Sequence, residues 1–161
     1  MTGVKSVSVE VPKDASVIFG QAHFIKSVED LYEALAESSP SLKFGLAFCE
    51  ASGKRLVRSD GNDEELRGCA EKAALRTGCG HTFIIFIRNG YPVNVLNRVK
   101  EVGEVACVYA ATANPLKVLI AEEGDGRGVL GVIDGDKPLG IEGADDRKWR
   151  HELLRKIGYK R

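Results

Sequence analysis

The sequence predicts an α/β fold: a single compact domain in which a mixed β-sheet carries helices packed on it. Three observations lead there. Segments whose apolar residues recur at helical spacing alternate along the chain with short β-branched or aromatic runs. Glycine-containing turns join some neighbouring runs closely enough for hairpins, so antiparallel members are expected. A chain of 161 residues, 43% hydrophobic and 29% charged, is also large and apolar enough to bury one core.

Each element has its own justification. Strand patterns come first, over Lys5–Val11 and Ser16–Phe24. Ser27 opens a helix with Asp30 as its Ser-x-x-Asp partner, and Val28, Leu31, Tyr32 and Leu35 share one face. Pro40 follows the helix end. Lys43–Ala51 is an apolar run that fits a strand covered on both faces, and Gly53 turns into a strand over Arg55–Ser59. Asn62 with Glu65 resembles a cap for the next helix, which Gly78 closes in the left-handed conformation. His81–Arg88, β-branched and aromatic without alternation, is the candidate central strand.

After the turn Asn89-Gly90, Pro92 starts a third helix with Val95, Val99 and Val102 inward. Val105–Ala111 returns as a strand. Leu116–Glu122 and Gly128–Ile133 flank a Gly-Asp-Gly-Arg loop as a hairpin, and Asp146 opens a last helix packing through Trp149, Leu153 and Ile157.

Composition excludes several classes. Lys plus Arg equals Asp plus Glu, 23 against 23, so no net field points to nucleic acid or an acidic membrane. The longest apolar run, residues 82–87, is too short to span a bilayer, and the N-terminus lacks the apolar stretch of a signal peptide. A cytoplasmic protein is expected. Cys49, Cys69, Cys79 and Cys107 form no Cys-x-x-Cys pair, so neither a disulfide framework nor a zinc site is expected, and no other metal-ligand pattern occurs.

Six segments carry more glycine and polar residues than packing requires: residues 20–26, 48–53, 78–82, 91–97, 111–115 and 124–128. Most lie at expected strand ends, where α/β folds place ligands, and they are expected to converge on one pocket. His81 stands out, because Gly78 and Gly80 let a ligand approach its backbone closely. A histidine there can serve as general base, phosphoryl acceptor or orienting donor, or simply bond a backbone carbonyl. His23 shares a strand face with Gln21 and has Lys26 three residues on, whereas His151 lies among charges.

Glu50 at a strand end can accept a proton or bind ribose hydroxyls. Asn94 and Asn97 share a helical face, although Asn is a poor helix former. Thr112 and Asn114 offer neutral donors and acceptors suited to a base or sugar. The loop around Arg127 is not a Walker loop, since no Lys-Ser/Thr and no helix follow, yet its glycines and guanidinium can hold a phosphate.

Together GQAHFIK (20–26), KFGLAFCEASG (43–53), GHTFIIF (80–86), YPVNVLN (91–97), ATANP (111–115) and GRGVLGVIDG (126–135) resemble the adenosine-specific kinases, a family of small archaeal and bacterial proteins. The likeness runs in order through Val11–Gly135, and residues 1–161 are read as one domain of that kind. It implies binding of adenosine or AMP and phosphoryl transfer through a phosphorylated histidine: His81, with His23 as the alternative. ATP is the implied donor, with magnesium, and Lys26 and Arg127 would neutralise the transferring oxygens. The competing reading is a regulatory module that binds adenine nucleotides without turnover. The likeness, with the apolar stripe of the last helix, also leads us to expect a homo-oligomer without nucleic-acid or membrane partners.

Overall fold

The computed structural model describes residues 3–161 and holds the expected mixed α/β architecture. A five-stranded sheet has the order β4-β3-β5-β2-β6, comprising β2 (Ser16–Ala22), β3 (Lys43–Cys49), β4 (Val57–Gly61), β5 (Thr82–Arg88) and β6 (Val105–Thr112). A three-stranded sheet has the order β1-β7-β8, from β1 (Gly3–Val9), β7 (Leu116–Glu123) and β8 (Gly126–Asp134). Every strand pairing in both sheets is antiparallel, a division that interleaved patterns alone do not reveal.

The large sheet is covered on both faces, which is why β3 and β5 read as unbroken apolar runs. On one face Phe44, Phe48, Phe83 and Ile85 pack with α1 (Ser27–Ser38) and α3 (Pro92–Glu101). On the other, Phe19, Ala47, Ile84 and Phe86 meet α2 (Glu64–Thr77) and the small sheet through Ala70, Ala74, Val118 and Ile120. β5 is central, as its composition predicts. Helix α2 lies directly on β3 at Gly45, where a Cβ would sit 2.1 Å from the Arg67 backbone nitrogen.

Two caps differ from expectation. Ser27 is the first residue of α1 rather than its cap, and its hydroxyl donates to the Phe24 carbonyl. Asp63, not Asn62, caps α2 by accepting from the Leu66 N–H. Asn62 instead bridges the edge of β3, accepting from the Phe44 N–H at 2.8 Å and donating to the Leu42 carbonyl. Gly78 closes α2 at φ 59°, as the sequence predicts. The largest departure is α4 (Ala144–Lys156), which buries none of its residues: Trp149 is 64% exposed and Ile157 is exposed too. No helix among the described residues is long and apolar enough to cross a membrane.

Candidate functional site

Strand direction decides where each candidate residue falls. β5 begins beside His81 and ends at Arg88, and its neighbours β2 and β3 run the other way. His81, His23, Glu50, Lys26 and Arg127 therefore gather at one end of the sheet, where β2 and β3 finish and α2 closes. Thr112, Asn114 and the N-terminus of α3 with Asn94 lie at the opposite end, roughly 20 Å away along a seven-residue strand. Asn97 sits on the exposed side of α3. The expected single pocket is thus divided in two, because β5 and β6 run opposite to β2 and β3 and carry the segments that follow them, 91–97 and 111–115, to the far end.

At the far end the polar groups are occupied. Thr112 Oγ1 donates to Asp134 Oδ1 at 2.7 Å and accepts from the Asn114 N–H, while Asn114 Nδ2 donates to the same Asp134 oxygen at 3.0 Å. Asn94 accepts from the Tyr91 N–H at 2.8 Å and so caps α3.

At the near end His81 precedes β5 rather than beginning it. Its N–H donates to the Cys49 carbonyl at 2.8 Å, and its own carbonyl accepts from the Ala22 N–H. These two bonds clamp the backbone between β3 and β2 at φ 62°, a left-handed conformation that costs a side-chain-bearing residue about 1–3 kcal/mol. The imidazole stacks on buried Phe48, with ring centroids 5.8 Å apart and planes 13° from parallel. Among the described residues no hydrogen bond engages either ring nitrogen. The ring is thus fixed by packing while its chemistry is left free.

His23 does not share a face with Gln21 as expected. A bulge between Gln21 and Ala22 breaks the alternation and ends β2, leaving His23 exposed with its N–H on the Glu104 carbonyl. Gln21 itself accepts from the Tyr109 hydroxyl at 2.7 Å. Lys26 Nζ lies 2.8 Å from both Asp30 and Glu104, and these carboxylates hold its ammonium well above the usual lysine range. Arg127 donates to the Arg76 and Thr77 carbonyls at the end of α2 and pairs with Glu122 at 2.7 Å. Glu50 accepts from Arg58 Nε at 2.8 Å.

A cavity of about 730 Å³ opens at this end, between the β3–β4 loop, the end of α2 and the β7–β8 hairpin tip; Gly78 and Gly80 line it, and His81 itself does not. Segments 48–53, 78–82 and 124–128 all contribute to it, so half of the polar segments singled out in the sequence do meet. Gly80 lines it next to His81, and a Cβ there would stand 3.0 Å from that of Ala51. Lys54 and Arg55 line it too, and sequence reading missed both; two cations directly after Gly53, close behind a strand-end acid, were the available signal. Arg55 is left-handed, at φ 49°. Burial raises the Cys49 thiol's pKa and pushes Cys79 up to about 11, so both remain protonated near neutral pH and are poor nucleophiles.

The family described as adenosine specific kinase matches residues 7–160. The chain belongs to the adenosine-specific kinase family. The match extends beyond the motifs into the C-terminal helix, so the family pattern includes α4. The chain is also similar to the PH1918 protein from Pyrococcus horikoshii OT3, whose crystal structure superposes with a TM-score of 0.96 at 44% identity over 100% of this chain and 99% of that one. No protein of curated function matches significantly. As an adenosine-specific kinase family member, the chain lacks the Walker loop sought in its sequence, and its near-end glycines flank a half-buried histidine instead. Among the described residues no group of three His, Cys, Asp or Glu is placed to hold a metal ion.

Proposed function

We propose that the protein phosphorylates adenosine through a phosphohistidine intermediate on His81, and that AMP occupies the same site. The observation that carries this reading is the posture of His81: a left-handed backbone clamped between two strands, a ring stacked on Phe48 and two uncommitted nitrogens. Strained residues cluster at functional positions, and at His81 the strain coincides with a stacked ring whose nitrogens are unbonded. In the first displacement a ring nitrogen attacks the γ-phosphorus of ATP; the bond to the bridging oxygen breaks and its electrons leave on ADP. In the second, the adenosine hydroxyl oxygen attacks phosphorus, the P–N bond breaks, its electrons return to imidazole and the hydroxyl proton passes to water.

Lys54, and Arg55 with only Asp125 at 4.0 Å as its carboxylate partner among the described residues, are the cations to meet the phosphates at the cavity, whereas Lys26 and Arg127 serve chiefly to hold the loop after β2 and the end of α2. Magnesium would arrive on the nucleotide's own phosphates, which suits an ion that keeps most of its water. The four free cysteines suit a reducing compartment, and we read the protein as cytoplasmic and self-associating.

Incubation with γ-labelled ATP tests the reading. Label should appear on the protein, survive alkali and fall to acid, as a phosphoramidate does. It should vanish in His81→Ala and persist in His23→Ala. Acid-stable label, or label lost only in His23→Ala, would move the role elsewhere. No label in any sample, with adenosine still bound, would favour a sensor without turnover.

A further inference from the structure

We infer that the far end of the large sheet carries a second binding site, for a phosphate group, in the cavity lined by the β1–β2 connection. The observation that leads there is Ser16. Of the six buried polar residues, five have partners in the chain: four hydroxyls donate to carbonyl or carboxylate oxygens, and Glu104 lies 2.8 Å from Lys26 Nζ. Ser16, 3% exposed, is the exception, and its hydroxyl makes no hydrogen bond among the described residues. Its oxygen is not sealed away either, because Ser16 opens on a cavity of about 670 Å³. A buried hydroxyl left unbonded weakens the fold, and a ligand that bonds it reverses that loss.

The surroundings of Ser16 name the ligand, because they are rich in donors. Alternation along β2 puts Ser16 on the same face as Ile18, the face that α3 covers. Helix α3 starts at the edge of the cavity, with the positive end of its dipole there. Lys13 lines the cavity, and among the described residues no carboxylate lies within ion-pair reach of its ammonium. The N–H groups of Asp14 and Gly90, also in the lining, donate to nothing among the described residues. Two acids stand at the rim, and both are answered. Glu10 pairs with Arg76 at 2.7 Å, and Asp14 adds to the field of Glu65 that favours the charged form of Arg88. A hydroxyl, an ammonium and two backbone N–H groups suit an oxyanion, and the three acceptor oxygens of a phosphate group match them better than a carboxylate does.

The cavity has room for more than the anion. Small-molecule sites run from about 300 to 1,000 Å³, and here Tyr91, 62% exposed, and Pro115 give an ester's organic part an apolar wall. Free phosphate and a phosphate monoester share the chemistry that Ser16 and Lys13 recognise. The site lies roughly 20 Å from His81 along a seven-residue strand, too far for its phosphate to be the one transferred. It therefore holds a phosphate group without transforming it, and the inference is independent of the reaction assigned to His81.

Amide NMR on the full chain, titrated with inorganic phosphate and separately with phenyl phosphate, tests the inference. The Ser16 and Gly90 amides should shift saturably with both. Tighter binding of phenyl phosphate would identify the ligand as a monoester, and equal affinities would identify it as free phosphate; either upholds the site. Ser16→Ala and Lys13→Gln should each weaken binding by about tenfold, as loss of a hydrogen bond to a charged group does. With no ligand present, Ser16→Ala should keep or raise the parent's urea midpoint, since the hydroxyl it removes bonds nothing. The pair Lys54→Gln with Arg55→Gln, at the near-end cavity, should leave these shifts and their affinity unchanged. Shifts confined to the near end, no saturable shift with either probe, or an affinity that survives both Ser16→Ala and Lys13→Gln would each overturn the inference. So would a Ser16→Ala variant that loses stability at unchanged affinity, because the hydroxyl would then serve the fold alone.

Discussion

The two ends of the large sheet are built from similar residues put to different uses. At the far end Thr112, Asn114 and Asp134 bond one another, and Asn94 caps a helix, so the polar atoms there hold the chain together. At the near end Lys26, Arg127 and Glu50 are likewise engaged, but they share that end with a histidine whose ring nitrogens are not. A polar residue at a strand end therefore says little about function until its partners are known. A site shows itself by the group that its neighbours restrain and do not bond.

The sharpest way to break that comparison is His81→Gly. Glycine accepts φ 62° without strain but removes the ring, so backbone relief and the lost stack on Phe48 should nearly cancel. Stability should stay within about 1 kcal/mol of the parent, while turnover of adenosine falls by about 10³-fold or more, as removal of a nucleophile does. Denaturant midpoints and initial rates on the same preparations check both halves. A variant that keeps its activity would make the left-handed histidine a feature of the fold alone.

The far end should answer in the opposite way. Thr112→Val keeps the shape but deletes the hydroxyl that donates to Asp134 and accepts from the Asn114 N–H. We expect a loss of about 1–2 kcal/mol in urea titrations, from the unpaired partners left behind. Adenosine affinity by calorimetry should change by less than about twofold, far below the tenfold that 1.4 kcal/mol of lost binding would give. A collapse of affinity at unchanged stability would put the ligand at the far end and invert the comparison.

Much of this was legible in the sequence. The β5 run reads as a doubly covered central strand because no residue in Phe83–Ile87 is polar, and Gly78 reads as a helix stop because the left-handed cap needs glycine. His81 was legible through its flanking glycines. What could not be read is which strand ends share an edge, since that depends on pairing between β2, β3 and β5 across long stretches of chain. The bulge that turns His23 away and the partners that occupy Arg127 are equally matters of tertiary contact. The α4 stripe has the spacing of a helix packed on its own core, yet α4 buries none of its residues, because spacing does not report whether the fold brings a surface to meet that face.

The smallest effect expected lies in the ion cluster behind the near end. Glu104, only 4% exposed, and Asp30 flank the ammonium of Lys26, and that ammonium, followed by Glu104, holds the Asp30 carboxyl below the usual aspartate range. A depressed acid stabilises the fold at pH values above its unfolded pKa, near about 3.9, and loses that contribution as pH falls through the lower folded value. Lys26 runs the other way. Its contribution is complete below the unfolded lysine value, near about 10.4, and fades as pH rises through the elevated folded one. Both pairs are therefore intact at neutral pH, and the acid side is the one to probe. Asp30→Asn should lower the urea midpoint slightly at pH 7, because the Lys26–Asp30 pair is solvent-exposed and such pairs contribute little. At pH 3 the gap between parent and variant should narrow, since that pH lies below the unfolded aspartate value, where the contribution of a depressed acid is already being lost. A gap that stays constant from pH 7 to pH 3 would mean that Asp30 acts by packing and not by charge. Adenosine turnover at pH 7 should hardly change in this variant, because Glu104 still holds Lys26 and neither group touches the ring of His81.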